Sequence, residues 1–443
     1  MVRLRRGERT GDRKLPLPAM VGLEALGALA VAVSIGLVAH AALSDGPSPS
    51  PSPSPSASPS PSPSPSPSPS PEPDPTVSFT LAAGGDVIPH YGVVLSATSS
   101  GVIDFGNIFS HLDPWIEGAD LALCNFESPV APPGTQPSGY PKFGAPPELV
   151  TSLGEAGWDG CSTANNHTMD RGWDGIVATL DAFDDARLGA VGTARNTGEA
   201  ASAQLYRVRE GSRTITVAHL AYTFSTNGIP LPSGKPWSVN LLGETNTDAS
   251  AILNAAQAAR DDGADVVLVS VHHGIEYQAS PTSVQRSLAQ QIADSGLVDL
   301  YIGHHVHVPQ PIVKLEGGPN GDGMWVAYGL GNYLSNQDTV YGLSAATTSG
   351  VLLIATFTVD PDGMVTTDVE WAPVTVDRRD HHTMYVLSEI PNGAGTLSAA
   401  EVAARYQRVK DAVGTQAPER LSPPDQIADR AHWIRRKPWE PGD

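Results

Sequence analysis

The sequence predicts an α/β fold, and three observations carry that prediction. Short apolar runs alternate with segments of helical spacing, the pattern of strands joined by crossover helices. The runs are apolar throughout rather than at every second position, which suits a sheet covered on both faces. Each run ends in side chains able to bind a metal, and α/β sheets collect ligands beyond the carboxyl ends of their strands.

Along the chain, three other segments precede this body. Residues 1–19 form a basic leader: six Arg or Lys against Glu8 and Asp12 give the first twenty residues a charge of +4. With −20 for the whole chain, −24 falls on the rest. Residues 20–43 are predominantly apolar. As a helix they rise about 36 Å, enough to cross a bilayer. Glu24 lies near the basic end, where a charge is cheaper than at the bilayer centre. The arginines keep the amino terminus inside and place the rest outside. The expectation is a single-pass signal anchor in the cell membrane with an extracytoplasmic body. A signal peptide cleaved near Ala39–Ala41 is the alternative, and either one exports the body.

Residues 44–75 read as a Pro/Ser-rich linker, with proline at every second position for most of it. That excludes helix and sheet and leaves extended polyproline II, reaching roughly 90 Å. It has no catalytic reading. The body is expected over residues 76–385, with a C-terminal helix and a loosely structured tail over 386–443.

Within the body, "TVSFTLAAGGD" ends at Asp86 and "ADLALCNFE" at Asn125 and Glu127. "WDGCSTANNH" ends at Asn165, Asn166 and His167, and "ADVVLVSVHHG" at His272 and His273. "VDLYIGHHVH" ends at His304, His305 and His307, and "MWVAYGLGNY" at Asn332. Helical spacing is expected over 105–117, 148–156, 173–186, 248–261, 281–295 and 398–413. The runs around Pro361–Gly363 read as a β-hairpin. Together with "LYRVRE" and "RTITVAHLAY" they suggest a second, more antiparallel sheet.

Mixed His, Asp, Asn and Glu donors without thiolates suit one or two divalent ions such as Mn²⁺, Fe²⁺, Zn²⁺ or Mg²⁺. Asp86 and Glu127 are the expected anionic ligands or bridges, and Asn166 offers a side-chain oxygen. His272, His305 and His307 offer ring nitrogens. Two ions so held clamp a phosphoryl group. His167 is the expected general acid, and Asp170, three residues on, is placed to orient it. Each has a plainer reading, as a turn cap, a surface carboxylate or a buried structural histidine. His90, His273 and His304 are expected behind the ligands or on the surface, and Glu276 is open between the two. Cys124 and Cys161 are expected as two buried thiols, with one bridge as the alternative in an exported body. The acidic body excludes a nucleic-acid partner, and no phosphate-binding Gly-rich loop with Lys-Ser/Thr is present.

The ordered set "GGDVIPH", "NFESPV", "TANNHTMDRGWDGI", "VHHGIEYQ", "GHHVHVPQPI" and "YGLGNYLSNQ" resembles the CapA/PgsA family of capsule and poly-γ-glutamate biosynthesis proteins. The resemblance runs from Asp86 to about Gln337. It implies a calcineurin-like metallophosphatase fold, a four-layer α/β/β/α sandwich. By its pattern Asp86 matches the first acidic ligand, Glu127 the second carboxylate and Asn166–His167 the Asn-His motif. His272 matches the lone histidine, and His305 with His307 the final alternate pair. The chain departs from metallophosphatases in having Ile88 where Asp-x-His is usual, Glu in "NFE" where Asp is usual, and His273 where an aromatic is frequent. The implied function is synthesis or export of a capsular or poly-γ-glutamate-type polymer, beside a membrane-bound synthase or export complex, with metal-dependent hydrolase chemistry. An anionic polymer or phosphoester is the implied substrate. A phosphoesterase for an unrelated substrate and a non-catalytic surface binding module are the alternatives.

Overall fold

The structure, a computed structural model, describes residues 74–436. The basic leader, the expected anchor and nearly all of the Pro/Ser linker lie outside the described residues. Among the described residues no helix is long and apolar enough to cross a membrane.

The strands, in chain order, are β1 (Val77–Val87), β2 (Leu121–Phe126), β3 (Gly160–Ser162), β4 (Gly189–Val191), β5 (Gln204–Glu210), β6 (Arg213–Thr223), β7 (Val266–His272) and β8 (Leu300–His304). They continue as β9 (Ile312–Leu315), β10 (Met324–Ala327), β11 (Asn332–Leu334), β12 (Ser349–Val359), β13 (Val365–Asp377), β14 (Thr383–Val386) and β15 (Asp429–Ile434). The longer helices are α1 (Glu148–Glu155), α2 (Gly172–Ala186), α3 (Ser250–Asp261), α4 (Ser283–Ser295) and α5 (Ala399–Val413).

Two sheets result. The first is eight-stranded, in the order β14-β13-β12-β1-β2-β3-β4, with β11 also paired to β1. The second is seven-stranded, in the order β9-β10-β8-β7-β6-β5-β15. The strands that end at the site run parallel: β1 with β2, β2 with β3, β6 with β7, and β7 with β8.

Strand alternation assigns the layers. Phe79, Leu81 and Ala83 of β1 share a core with Val217, Leu268 and Ile302 of the second sheet, so they fill the space between the sheets. Ala82, Ala122 and Cys124 point the other way, toward Leu149 and Leu153 of α1 and Ile176 and Phe183 of α2. On the far side, Ala218, Val267 and Val269 pack on Ile252 of α3 and Leu288 and Ile292 of α4. The order is helix, sheet, sheet, helix, which is the order the family resemblance implies. Each fully buried Leu, Ile or Val adds about 1.5–3 kcal/mol to this arrangement.

Four local expectations are corrected. The hairpin β12–β13 is present, but it extends the first sheet along β1, whereas β5 and β6 belong to the second. The strand partners of a hairpin are non-local, and its own residues do not encode them. The single helix expected over 105–117 is two short ones, Gly106–Phe109 and Asp113–Glu117, because Pro114 starts the second. Cys124 and Cys161 sit opposite each other on β2 and β3 and form a disulfide rather than two thiols. The expected loose tail supplies edge strand β15, paired antiparallel to β5, and the Ile427 and Ala428 N–H groups donate to buried Asp120.

Candidate metal centre

The site forms where the parallel strands of both sheets end. Asp86 is the penultimate residue of β1, and Glu127 follows β2 directly, its N–H donating to the Val87 carbonyl. Asn166 and His167 lie on the turn after β3, His272 closes β7, and His305 and His307 follow β8. Two glycines permit the close approach. A Cβ on Gly85 would lie 2.0 Å from the Gly331 carbonyl oxygen, and one on Gly303 would lie 2.0 Å from that of Tyr328. His305 and His307 both take positive φ, 87° and 57°. Non-glycine residues rarely adopt that region, and such strain concentrates where a side chain must be aimed. Here the turn brings both imidazoles toward the carboxylates.

The potential ligand atoms fall into two groups that share a member. Glu127, His272 and His305 form one, and Asp86, Glu127 and His307 the other; within each, the atoms lie within 4.8 Å of one another. All five side chains are buried. His272 Nε2 is 3.6 Å from Glu127 Oε1 and 2.9 Å from Asn166 Oδ1, so Asn166 joins the first group. His307 Nδ1 is 3.3 Å from Asp86 Oδ2, and its Nε2 is 3.6 Å from Glu127 Oε1. Asp86 Oδ2 and both Glu127 oxygens are buried, with no hydrogen-bond donor among the described residues. An uncompensated buried carboxylate costs several kcal/mol. A divalent cation satisfies such oxygens, and the donor set of two carboxylates, three imidazoles and an amide oxygen fits one or two ions of that kind.

The charges are arranged for ligation. Burial pushes the His272 and His305 imidazoles down, and neighbouring imidazoles push them further, His305 to about 3. Both are therefore held neutral, as ligation requires. Burial alone would raise Asp86, but His304 and His307 beside it hold it well below the usual carboxylate range. Burial drives Glu127 well above that range against the attraction of His307. Burial would lower His307, yet Glu127 and Asp86 push it up to about 10. Glu127 and His307 thus compete for a proton.

Two asparagines fix this geometry. Asn125 Nδ2 donates to Asp86 Oδ1 at 2.8 Å and lies 3.2 Å from His272 Nδ1, while its Oδ1 accepts from Ser162 Oγ. Asn332 Nδ2 donates to Gln337 and to the Thr347 carbonyl, which turns its Oδ1 to His307 Nδ1 at 3.0 Å. His307 is left with Nε2 toward Glu127. Sequence reasoning assigns neither asparagine this role. The available signal is parity: Asn125 is two residues before Glu127, hence on the same side of β2.

His167 stands beside the ligands. Its Nδ1 is 2.7 Å from Asp170 Oδ2, and that oxygen also accepts the Phe143 N–H. The Phe143 ring packs edge-on against the imidazole at 4.6 Å. A carboxylate at Nδ1 fixes the ring and leaves Nε2 for an incoming group. His167, Asp170, Asn166 and His307 line one cleft of about 1380 Å³. All eight residues expected from the sequence therefore meet at one rim. His304, expected behind the ligands or at the surface, is buried 3.5 Å from Asp86. His273 is buried against Phe224. His90 and Glu276 line the cleft.

Residues 80–337 match the family model described as bacterial capsule synthesis protein PGA_cap. The chain is 30% identical over 240 residues to the capsule biosynthesis protein CapA of Bacillus anthracis, covering 52% of this chain and 54% of that protein. It is 29% identical over 238 residues to the PGA biosynthesis protein CapA of Bacillus subtilis, covering 52% and 57%. A probable polyglutamine synthesis accessory protein of Mycobacterium tuberculosis is 24% identical over 264 residues, covering 58% and 67%. The chain thus spans about half the length of the first two relatives. Among solved structures, a novel phosphatase from Mycoplasma pneumoniae aligns with TM-score 0.39 and 17% identity over 67% of this chain and 94% of its own. The calcineurin-like phosphoesterase YfkN from Bacillus subtilis aligns with TM-score 0.39 and 14% identity, over 76% and 97%.

Proposed function

The chain belongs to the PGA_cap family of bacterial capsule synthesis proteins, and from that premise we propose that it is a membrane-anchored, extracytoplasmic hydrolase serving capsular or poly-γ-glutamate-type polymer synthesis or export. The observation that carries the hydrolase reading is Glu127, a buried carboxylate shared by two ligand groups at the ends of parallel strands. The helix-sheet-sheet-helix order supports the calcineurin-like metallophosphatase fold that the motifs imply. The Cys124–Cys161 bridge supports export, because disulfides persist in oxidising compartments. The apolar segment 20–43 supports the anchor, and the Pro/Ser linker gives the body reach from the membrane to a polymer synthase or export complex.

A divalent ion held by Asp86, Glu127, Asn166, His272, His305 and His307 would polarise a phosphoryl oxygen and acidify water. His167 holds a proton toward the leaving oxygen, and Asp170 keeps its ring in place. Asn166, His167 and His307 line the cleft where the reacting group would sit.

The test uses the full chain, purified in detergent and supplied with Mn²⁺, Fe²⁺ or Zn²⁺, with bis(4-nitrophenyl) phosphate as substrate. Turnover is expected in the parent, and His167→Ala lowers kcat by about 10²–10⁴ while metal content stays unchanged. A metal-loaded parent without turnover would put the protein in the non-catalytic accessory class.

A further inference from the structure

Three tyrosines set this cleft apart from the rest of the surface. Tyr91, Tyr140 and Tyr341 are 57, 79 and 57% exposed, and no other Phe, Trp or Tyr among the described residues is as open to solvent. All three line the cleft above His167 and His307. Exposing aromatic rings is costly, and a shared position beside a reactive floor gives them a common use.

The charge of the cleft narrows what that use is. Its lining holds two permanent cations, Lys142 and Arg171, and two carboxylates, Asp170 and Glu276. Arg171 is committed to the rim loop: Nε donates to the Phe143 carbonyl, and Nη2 to the Gln136 carbonyl and to Ser138 Oγ. A polymer with one carboxylate on every residue calls for a row of cations, and this lining does not provide one. Instead its lining includes the neutral amides Asn227, Asn336 and Gln337 beside the tyrosines; Asn336 Nδ2 donates to Tyr341 OH at 3.0 Å, and Gln337 Oε1 accepts from Asn332 Nδ2. Amides and phenols exchange hydrogen bonds with hydroxyls, and ring faces cover C–H surfaces. A pyranose presents both. The cleft, about 1380 Å³, is far larger than a phosphoryl group.

We propose that the substrate is a glycan joined through a phosphodiester, with its sugar rings on Tyr91, Tyr140 and Tyr341 and its phosphodiester over Asn166 and His307. This rests on the hydrolase reading above and names its substrate class. In the reaction a water oxygen bonds to phosphorus and the P–O bond to one sugar breaks. The sugar oxygen leaves with the bonding pair and takes the His167 proton; the water proton passes to solvent, which reprotonates His167. The products are a sugar alcohol group and a sugar phosphomonoester.

The experiment compares three probes on the metal-loaded full chain: bis(4-nitrophenyl) phosphate, two glucose units bridged by a phosphodiester, and a γ-linked glutamate hexamer. Products are read by phosphorus NMR and by amine release. The expected result is cleavage of the first two and not of the hexamer. Tyr140→Ala and Tyr341→Ala should each raise KM for the bridged disaccharide about tenfold with little change in kcat. Both side chains are exposed, so folding survives their truncation, and circular dichroism verifies it. Cleavage of bis(4-nitrophenyl) phosphate without the bridged disaccharide, preference for the hexamer, or an unmoved KM in both variants overturns the glycan inference and leaves the hydrolase reading standing. No cleavage of any probe removes both.

Discussion

His307 shows at the scale of one residue how the site is legible in the sequence and where legibility stops. Its type, and its spacing from His305, already suggest a ligand. Its protonation depends on Glu127 and Asp86, which come from other strands, and its ring orientation on Asn332. Such pairings arise from tertiary structure, which is why the sequence marks Asn125 only by its parity with Glu127 and does not mark the role of Asn332. The same environment makes a pH prediction. Metal ligation takes neutral imidazole and ionised carboxylate, so the proton held between His307 and Glu127 must leave when a cation binds. Because His307 is pushed up to about 10, metal affinity should rise roughly tenfold per pH unit between pH 6 and 8. Calorimetry in buffers of different ionisation heat should report about one proton released per ion bound. A pH-independent affinity would place the metal ligands elsewhere.

At the scale of elements, the apolar runs identify the parallel strands because burial on both faces removes polar alternation. Strand ends are legible for the same reason: polarity reappears where the sheet stops. The runs do not encode which sheet the β12–β13 hairpin joins, since Leu81 pairs with Ala355 across a long stretch of chain. Spacing likewise leaves the bridge between β2 and β3 undecided, because thiol pairing depends on strands being neighbours. Cys124 precedes Asn125, and Cys161 precedes Ser162, so the bridge lies directly under the Asn125–Ser162 hydrogen bond. Replacing both cysteines by alanine should destabilise the protein by about 2–4 kcal/mol. Thermal unfolding of the purified double variant checks this, and an unchanged Tm would show that the bridge does not form.

At the scale of the whole molecule, the tail closes the body rather than trailing from it. The Asp120 carboxylate, buried under β1 and β2, accepts N–H groups from Thr80, Ile427 and Ala428. A chain stopped after Gln426 loses two of these donors and strand β15. A buried acceptor without donors costs about 1–3 kcal/mol, so urea unfolding of this shortened chain should show a lower midpoint than the parent. An equal midpoint would mean the tail is a passive cover. Its short polar strand has no apolar run of its own, so the sequence suggests a loose tail; an edge that only the assembled sheet presents holds it in place. The candidate metal centre spans both sheets, since Glu127 from the first falls in one ligand group with His272 and His305 of the second and in another with Asp86 and His307. The most direct test of that sharing is metal content by elemental analysis of the full chain after loading, comparing Glu127→Ala, His305→Ala and His307→Ala with the parent. Two ions in the parent, one in each histidine variant and none in Glu127→Ala is the expected result. A parent that binds no divalent ion, or a Glu127→Ala variant that binds as many as the parent, would contradict it.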